Sequence, residues 1–173
     1  MTSQIVIALL AASVAMAQTP DMKTASGMAQ AAHANLKRFI VKAAEKMPEE
    51  NYSFKPVPEV RSFGELLGHI ANAQYNYCSG ASSEKNPNTV NIEKTKTSKA
   101  DIMAALEGSF THCDKAYASL SDAKIGEMGK MGTNERNKFG ILSGNNTHIN
   151  EHYGNLVTYM RIKGIVPPSS EGR

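Results

Sequence analysis

Three of the five histidines in this sequence have the spacing of a metal site. His148 and His152 are four residues apart, which places them about 40° apart on one face of a helix, separated by one turn. His69 lies in a second predicted helix, on the stripe that should face the core, where a neutral imidazole needs a partner. Imidazole nitrogens from facing helices bind divalent metals, so we predict one metal site between these two helices. The alternative is that each is a hydrogen-bonded core histidine or a partly exposed one.

The residues from His148 to His152 also spell H-x-x-E-H, the inverted zinc-protease pattern, in which the glutamate is the general base. That class needs a further carboxylate ligand in a larger fold, and here only Glu171 follows, in a tail beyond two prolines. Glu151 falls at the rim of the ligand face. Its candidate roles are a general base, a group that orients a ligand histidine, and a surface salt-bridge partner, and we favour the last two.

Three further polar side chains are candidates for the surroundings of the metal. Asn72 and Asn76 lie within about 60° of His69 around the same helix, and Tyr159 lies about 20° from His152 and two turns further on. The alternative is that they serve helix packing and surface solvation.

Four segments have the three- and four-residue apolar spacing of helices. Pro48 ends the first, and Ser62 with Glu65 forms a capping box that begins the second. The segments run from Asp21 to Met47, from Ser62 to about Ser79, from Ser98 or Thr97 to about Ser121, and from Ile141 or Ser143 to Ile162.

The connections between these helices differ in character. Residues 80–97 are polar, without apolar periodicity, and are long enough to cross the whole molecule. Residues 121–140 contain four glycines among polar residues, which predicts a mobile loop with one short helical turn and makes this segment the candidate lid. No segment has the pattern of a strand. The predicted fold class is therefore all-α, a four-helix bundle.

The start of the chain predicts export. Residues 5–15 are an apolar run, too short to span a bilayer, followed by Ala15-Met16-Ala17, which is typical of a signal-peptidase site. We interpret residues 1–17 as a signal peptide and residues 18–173 as one domain that is periplasmic or secreted in a bacterium and not membrane-bound after cleavage. A net charge of +3 without a Lys/Arg run argues against nucleic acid as a partner.

Four segments together resemble a known family, the DinB/YfiT-like metalloenzymes, in an exported form. They are MPEENYSFKP at 47–56, RSFGELLGHI at 61–70, EHYGNLVTYMR at 151–161 and GIVPP at 164–168. The resemblance implies a four-helix bundle in up-down-down-up order, with a long crossover between the second and third helices, and often a homodimer. It also implies one divalent metal held by His69, His148 and His152.

The same helix order bears on the two cysteines. If residues 80–97 cross the bundle, the second and third helices are parallel, and Cys78 lies level with Cys113. A disulfide between them is then feasible in an oxidising compartment. Cys78 lies about 180° from His69 around the helix, so it is not a ligand.

The resemblance leaves the reaction open. Relatives with assigned activities are mostly thiol S-transferases or isomerases, and some relatives are proposed hydrolases. Low-molecular-weight thiols are cytoplasmic, so export favours a metal that activates water on a small-molecule substrate of unknown identity. Zinc is the favoured ion, and nickel, iron and manganese are compatible with imidazole ligands. The alternatives are a thiol-dependent S-transferase and a non-catalytic metal-binding or stress-associated protein.

Overall fold

The computed structural model describes residues 19–172, so the predicted signal peptide lies outside the described residues. Helices dominate this part of the chain, as the sequence predicts. No helix among residues 19–172 combines the length and the apolar character needed to cross a bilayer. The elements are α1 (Ala25–Lys46), α2 (Phe63–Ser82), α3 (Ile92–Thr95), α4 (Lys99–Ala118), β1 (Met128–Met131), β2 (Asn134–Asn137) and α5 (Lys138–Ile162).

Side-chain caps fix where the long helices begin. The predicted capping box of α2 is confirmed: the Glu65 N–H donates to Ser62 Oγ at 3.1 Å, and the Ser62 N–H donates to Glu65 Oε2 at 2.8 Å. Ser98 caps α4 in the predicted place. The last helix begins earlier than predicted, because Asn137 accepts the Gly140 N–H at 2.6 Å and starts α5 at Lys138.

The four long helices pack so that α1 and α2 each lie against both α4 and α5. Along α2 and α4, later residues of one helix contact later residues of the other. Gln74 donates to Ser109 Oγ, and Ser79 further along α2 bonds His112 further along α4, so these helices run in the same direction. α2 and α5 are antiparallel, because His69 lies against His148 whereas Cys78, further along α2, lies against the earlier residue Asn145. The largest side chains that this packing buries completely include Phe63, Phe110, Ile40, Leu67, Ile70, Ile149 and Leu156.

A disulfide joins the two parallel helices. Cys78 of α2 and Cys113 of α4 are bonded, with their Cα atoms 5.2 Å apart, and both residues are completely buried. The amide of Asn145 on α5 lies 3.8 Å from each sulfur. The bridge therefore lies in the interior, at the contact of three helices.

The segment between α4 and α5 contains strands, and here the sequence-based prediction was wrong. β1 pairs with β2 in an antiparallel hairpin in which Met131 lies opposite Asn134. Gly132 takes a φ of 60° in the two-residue turn, a conformation that glycine adopts without strain. Both strands are short and mostly exposed, so they lack the apolar alternation by which a strand is recognised.

Close backbone contacts dock this hairpin on the end of α2. A Cβ atom at Gly80 would lie only 2.7 Å from the Lys130 carbonyl oxygen, and one at Gly129 would collide with the Gly80 carbonyl and with Ile141. Glycine at both positions permits the approach. The predicted lid segment is thus a hairpin seated against the bundle in this structure.

We predict that removing the disulfide destabilises the protein substantially. The bridge closes a loop with a sequence separation of 35, and loop-closure entropy then gives about 4 kcal/mol of the free energy of unfolding. Urea denaturation of the Cys78→Ala/Cys113→Ala variant should show this loss relative to the oxidised wild type. Equal denaturation midpoints for the two proteins would contradict a stabilising bridge.

Candidate metal centre

The three histidines singled out by spacing meet between α2 and α5. The Nε2 atom of His148 lies 3.1 Å from Nε2 of His69 and 3.1 Å from Nε2 of His152. One ligand atom from each residue falls within 4.8 Å of the others. His152 is buried, and the other two are half-buried. The antiparallel packing of α2 on α5 thus brings residues about 80 positions apart in sequence to one point.

Core side chains on both helices hold the imidazoles in place. Leu67 and Ile70 flank His69 and are completely buried, as are Ile149 and Leu156 near the histidine pair. A helix whose neighbouring residues are fixed in a close-packed core has little freedom to rotate. The directions of the three side chains follow from this packing.

A carboxylate from the crossover sets the protonation of His69. Glu93 of α3 places Oε2 3.2 Å from His69 Nδ1 and Oε1 3.0 Å from Arg61 Nε. An ionised carboxylate only accepts hydrogen bonds, so Nδ1 carries the proton and Nε2 presents a lone pair towards the other histidines. A ligand histidine is commonly oriented by such a carboxylate.

The other two imidazoles have weaker support. Asn155 Nδ2 lies 3.4 Å from His152 Nδ1. Among residues 19–172, Nδ1 of His148 is buried and has no hydrogen-bond partner. The ring of Tyr77 lies 5.9 Å from the His148 ring, centroid to centroid.

The site keeps its imidazoles neutral. Burial is the main cause that lowers the pKa of each of the three below the usual 6.5. The positive charge of Arg61 lowers all three further, and neighbouring imidazoles within the cluster oppose a second proton. Glu93 and Glu151 act in the opposite direction without reversing the shift. Neutral imidazole is the form that binds metal.

This donor set fits a divalent cation. Metal–nitrogen distances of about 2.1 Å put tetrahedral ligand nitrogens about 3.4 Å apart, close to the two observed separations of 3.1 Å. A bound cation would also account for the close approach of the three Nε2 atoms. With the His69 proton held by Glu93, His148 Nε2 must donate to His69, and it then has neither a lone pair nor a second proton for His152 Nε2, which also lies 3.1 Å away.

The structure places the remaining candidates at the edge of this centre. Glu151 is exposed and lines a cleft of about 710 Å³ together with His152. Tyr159 lines the same cleft, and its hydroxyl donates to the Arg61 carbonyl at 2.9 Å. Neither side chain forms a hydrogen bond with any of the three Nε2 atoms.

Asn72 and Asn76 border His69 in a second cleft of about 520 Å³, but their amides bind the crossover. Asn72 Oδ1 accepts the Ile92 N–H at 3.0 Å, and Asn76 Oδ1 accepts a hydrogen bond from Asn86 at 2.7 Å. The structure thus gives both residues a role in holding the crossover against α2.

The sequence analysis did not identify Glu93 or Arg61. Glu93 lies in a polar connection without apolar periodicity, and its only local signal is the helical turn that follows Asn91. Arg61 directly precedes the Ser62 cap of α2. The contacts of Glu93 with His69 and with Arg61 depend on how the crossover lies on α2, which local pattern does not show.

The two other histidines lie away from the centre and are paired elsewhere. His33 is buried, with Nε2 3.0 Å from Asp114 Oδ1, and its ring stacks on Tyr117. His112 Nε2 lies 2.9 Å from Ser79 Oγ. The structure thus gives both histidines hydrogen-bond partners outside the three-histidine cluster.

Comparison with known proteins identifies the family. The sequence model of the DinB superfamily matches residues 35–156, which is more than half of the chain, so the protein belongs to that superfamily. The fold is similar to the crystal structure of a DinB-like protein from Bacillus cereus ATCC 10987, with a TM-score of 0.70 and 18% identity over 87% of this chain and 98% of that one. A DinB-like protein from Bacillus subtilis gives a TM-score of 0.65 and 19% identity, with coverage of 84% and 99%. No curated protein sequence matches significantly.

We predict that the three clustered histidines of the metal-free protein titrate below pH 6.5, as seen by NMR of their ring protons. The unfolded chain takes up protons near pH 6.5, where the folded chain does not. The free energy of unfolding should therefore fall as the pH drops below 6.5, until the folded imidazoles also protonate. The loss should be smaller in His148→Ala. Midpoints at or above 6.5 would contradict burial as the dominant effect.

Proposed function

We propose that this protein is a metal-dependent enzyme of the DinB superfamily. One divalent ion is held by His69, His148 and His152 and activates water on a small-molecule substrate, as in a hydrolase. The observation that carries the proposal is the convergence of three neutral imidazole Nε2 atoms, one of which has its tautomer fixed by Glu93.

Three protein ligands leave a coordination position open to water or substrate, the arrangement of catalytic rather than structural sites. When bound, the ion supplies Lewis-acid chemistry and lowers the pKa of water towards about 7. Zinc is the ion we propose, because its d¹⁰ shell accepts the geometry that the imidazoles offer. Nickel and iron also suit imidazole, whereas manganese prefers oxygen ligands.

The residues around the cleft have distinct parts in this proposal. His152 reaches the 710 Å³ cleft from the metal side, and Glu151 offers an exposed carboxylate on the same wall that can accept a proton from a small substrate. Tyr159 binds the Arg61 backbone and so keeps the Arg61–Glu93 pair beside the histidines. Lys55 and Lys94 contribute positive charge to the cleft, each close to a glutamate.

The same centre is compatible with two other functions, a thiol-dependent S-transferase and a metal-binding protein without turnover. In the first, the open position would receive a thiol, and in the second it would keep water. No contact within residues 19–172 favours either over the water-activating enzyme. Turnover measurements separate the three.

We also propose that the protein is exported. The buried Cys78–Cys113 disulfide supports this, because disulfides persist in oxidising compartments and are rare in the cytosol. The parallel course of α2 and α4 and the antiparallel contact of α2 with α5 support the up-down-down-up helix order.

We predict one divalent ion per wild-type chain and almost none in His148→Ala, because two imidazoles bind a divalent ion far more weakly than three. Elemental analysis of untagged protein purified from its native compartment measures this. His112→Ala is the matched control and should keep full occupancy, since His112 bonds Ser79 and lies outside the cluster. A His148→Ala protein with wild-type metal content would contradict the site.

We predict that the metal-loaded wild type hydrolyses one member of a panel of small esters, amides and phosphoesters. His148→Ala should lose at least about 100-fold in rate while the circular dichroism spectrum stays unchanged. Turnover only with a thiol and an electrophile would instead assign the S-transferase. Metal binding without turnover of any panel member would favour the non-catalytic protein.

A further inference from the structure

We propose that Glu93 is a positioning residue for the metal centre, and that the seating of the crossover on Gly68 controls metal affinity through it. The proposal rests on the metal site argued above. It goes beyond that site because it assigns function to a segment that carries no ligand.

The Glu93 carboxylate is nearly buried and has a partner on each side, Arg61 and His69. Its side chain is only 10% exposed, so ionisation there needs compensation. Both carboxylate oxygens have a partner: Arg61 Nε donates to Oε1 at 3.0 Å, and His69 Nδ1 lies 3.2 Å from Oε2. The group therefore stays an acceptor between Arg61 and the His69 Nδ1–H.

The backbone of α3 lies directly against α2 at the residue before His69. A Cβ atom at Gly68 would stand 2.8 Å from the Glu93 Cα and 3.0 Å from its backbone nitrogen. Real Cβ atoms do not approach backbone so closely, so any larger residue at position 68 must displace α3. Glycine at this position is what lets Glu93 reach His69.

Two further contacts fix α3 within one turn of the same place. The Ile92 side chain is 2% exposed, inserted into the core. Asn72, one turn after Gly68, accepts the Ile92 N–H and donates to Asn91 Oδ1 at 2.9 Å. The turn of α2 that carries the ligand His69 thus also carries Gly68 and Asn72, which seat the segment that orients this ligand.

This arrangement has a consequence for variants that touch no ligand. Displacement of α3 by a methyl group at position 68 moves the carboxylate off His69 Nδ1 while all three imidazoles remain. The His69 proton is then free to occupy Nε2, which removes the lone pair that faces the metal. Metal affinity should fall although the ligand set is complete.

The test measures zinc affinity by competition with a chromogenic chelator, using the oxidised protein. Glu93→Ala and Gly68→Ala should each bind zinc about 10- to 100-fold more weakly than the wild type. Glu93→Gln keeps an acceptor oxygen of similar shape, so its loss should be smaller than that of Glu93→Ala. Glu59→Gln is the matched control: Glu59 is an exposed carboxylate on the cleft that Glu93 also lines, and its loss should change affinity less than twofold.

A second readout uses the metal-free protein and does not depend on zinc. Nitrogen-15 NMR of the imidazoles should show the Nδ1–H tautomer for His69 in the wild type and in Glu59→Gln. Glu93→Ala and Gly68→Ala should shift it towards Nε2–H, which a loss of stability alone would not do. If Glu93→Ala does not fold, Glu93→Gln still reports on both measurements.

The outcomes separate this proposal from the metal site itself. Absence of zinc binding by the wild type would overturn both. Wild-type zinc binding with unchanged affinity and unchanged His69 tautomer in Glu93→Ala and Gly68→Ala would overturn the role of Glu93 and leave the three-histidine site standing.

Discussion

Three imidazole nitrogens that face one another across the contact of α2 and α5 impose the main constraint on this structure. Facing lone pairs repel unless a proton or a cation lies between them, and burial opposes the uptake of a second proton by each imidazole. The arrangement therefore depends on rigid support from both helices. Completely buried side chains beside each histidine, such as Leu67 and Ile149, provide it.

The topology of the bundle also brings Glu93, which carries no metal-ligand role, to the three histidines. Because α2 and α4 run in the same direction, the chain between them must return along the molecule, and it does so past the histidines. This connection is polar and exposed for most of its length, yet its short helix α3 buries Ile92 and brings Glu93 to His69. The crossover, which the parallel course of α2 and α4 requires, thus also carries Glu93, the residue that sets the tautomer of His69.

The half of the bundle beyond the histidines has a covalent bond in addition to an apolar cluster of its own. There the Cys78–Cys113 bridge, the Asn145 amide and the docked hairpin occupy the interior and the end of α2. The disulfide restricts the unfolded chain, whereas the apolar core near the histidines stabilises the folded chain by burial. The disulfide holds the parallel helices α2 and α4 together, and the apolar core near the histidines fixes the direction of the metal-facing side chains.

The sequence by itself determined the long helices, the caps at Ser62 and Ser98, and the three candidate histidines. His148 and His152 share one face of a helix, and His69 lies at the same height in the bundle. The helices, their caps and the His148/His152 pair follow from contacts between residues three or four apart, which local spacing records. His69 was placed at the level of that pair from its position along its own helix, and the packing of α2 on α5 brings the three together. Only the tertiary structure decided the hairpin at 128–137, the engagement of Asn72 with the crossover, and the contact of Glu93 with His69. The hairpin strands are polar and short, so alternation does not mark them, and glycine contacts with α2 hold them instead. Glu93 is 24 residues from His69, and such a contact depends on how two segments pack rather than on any local pattern.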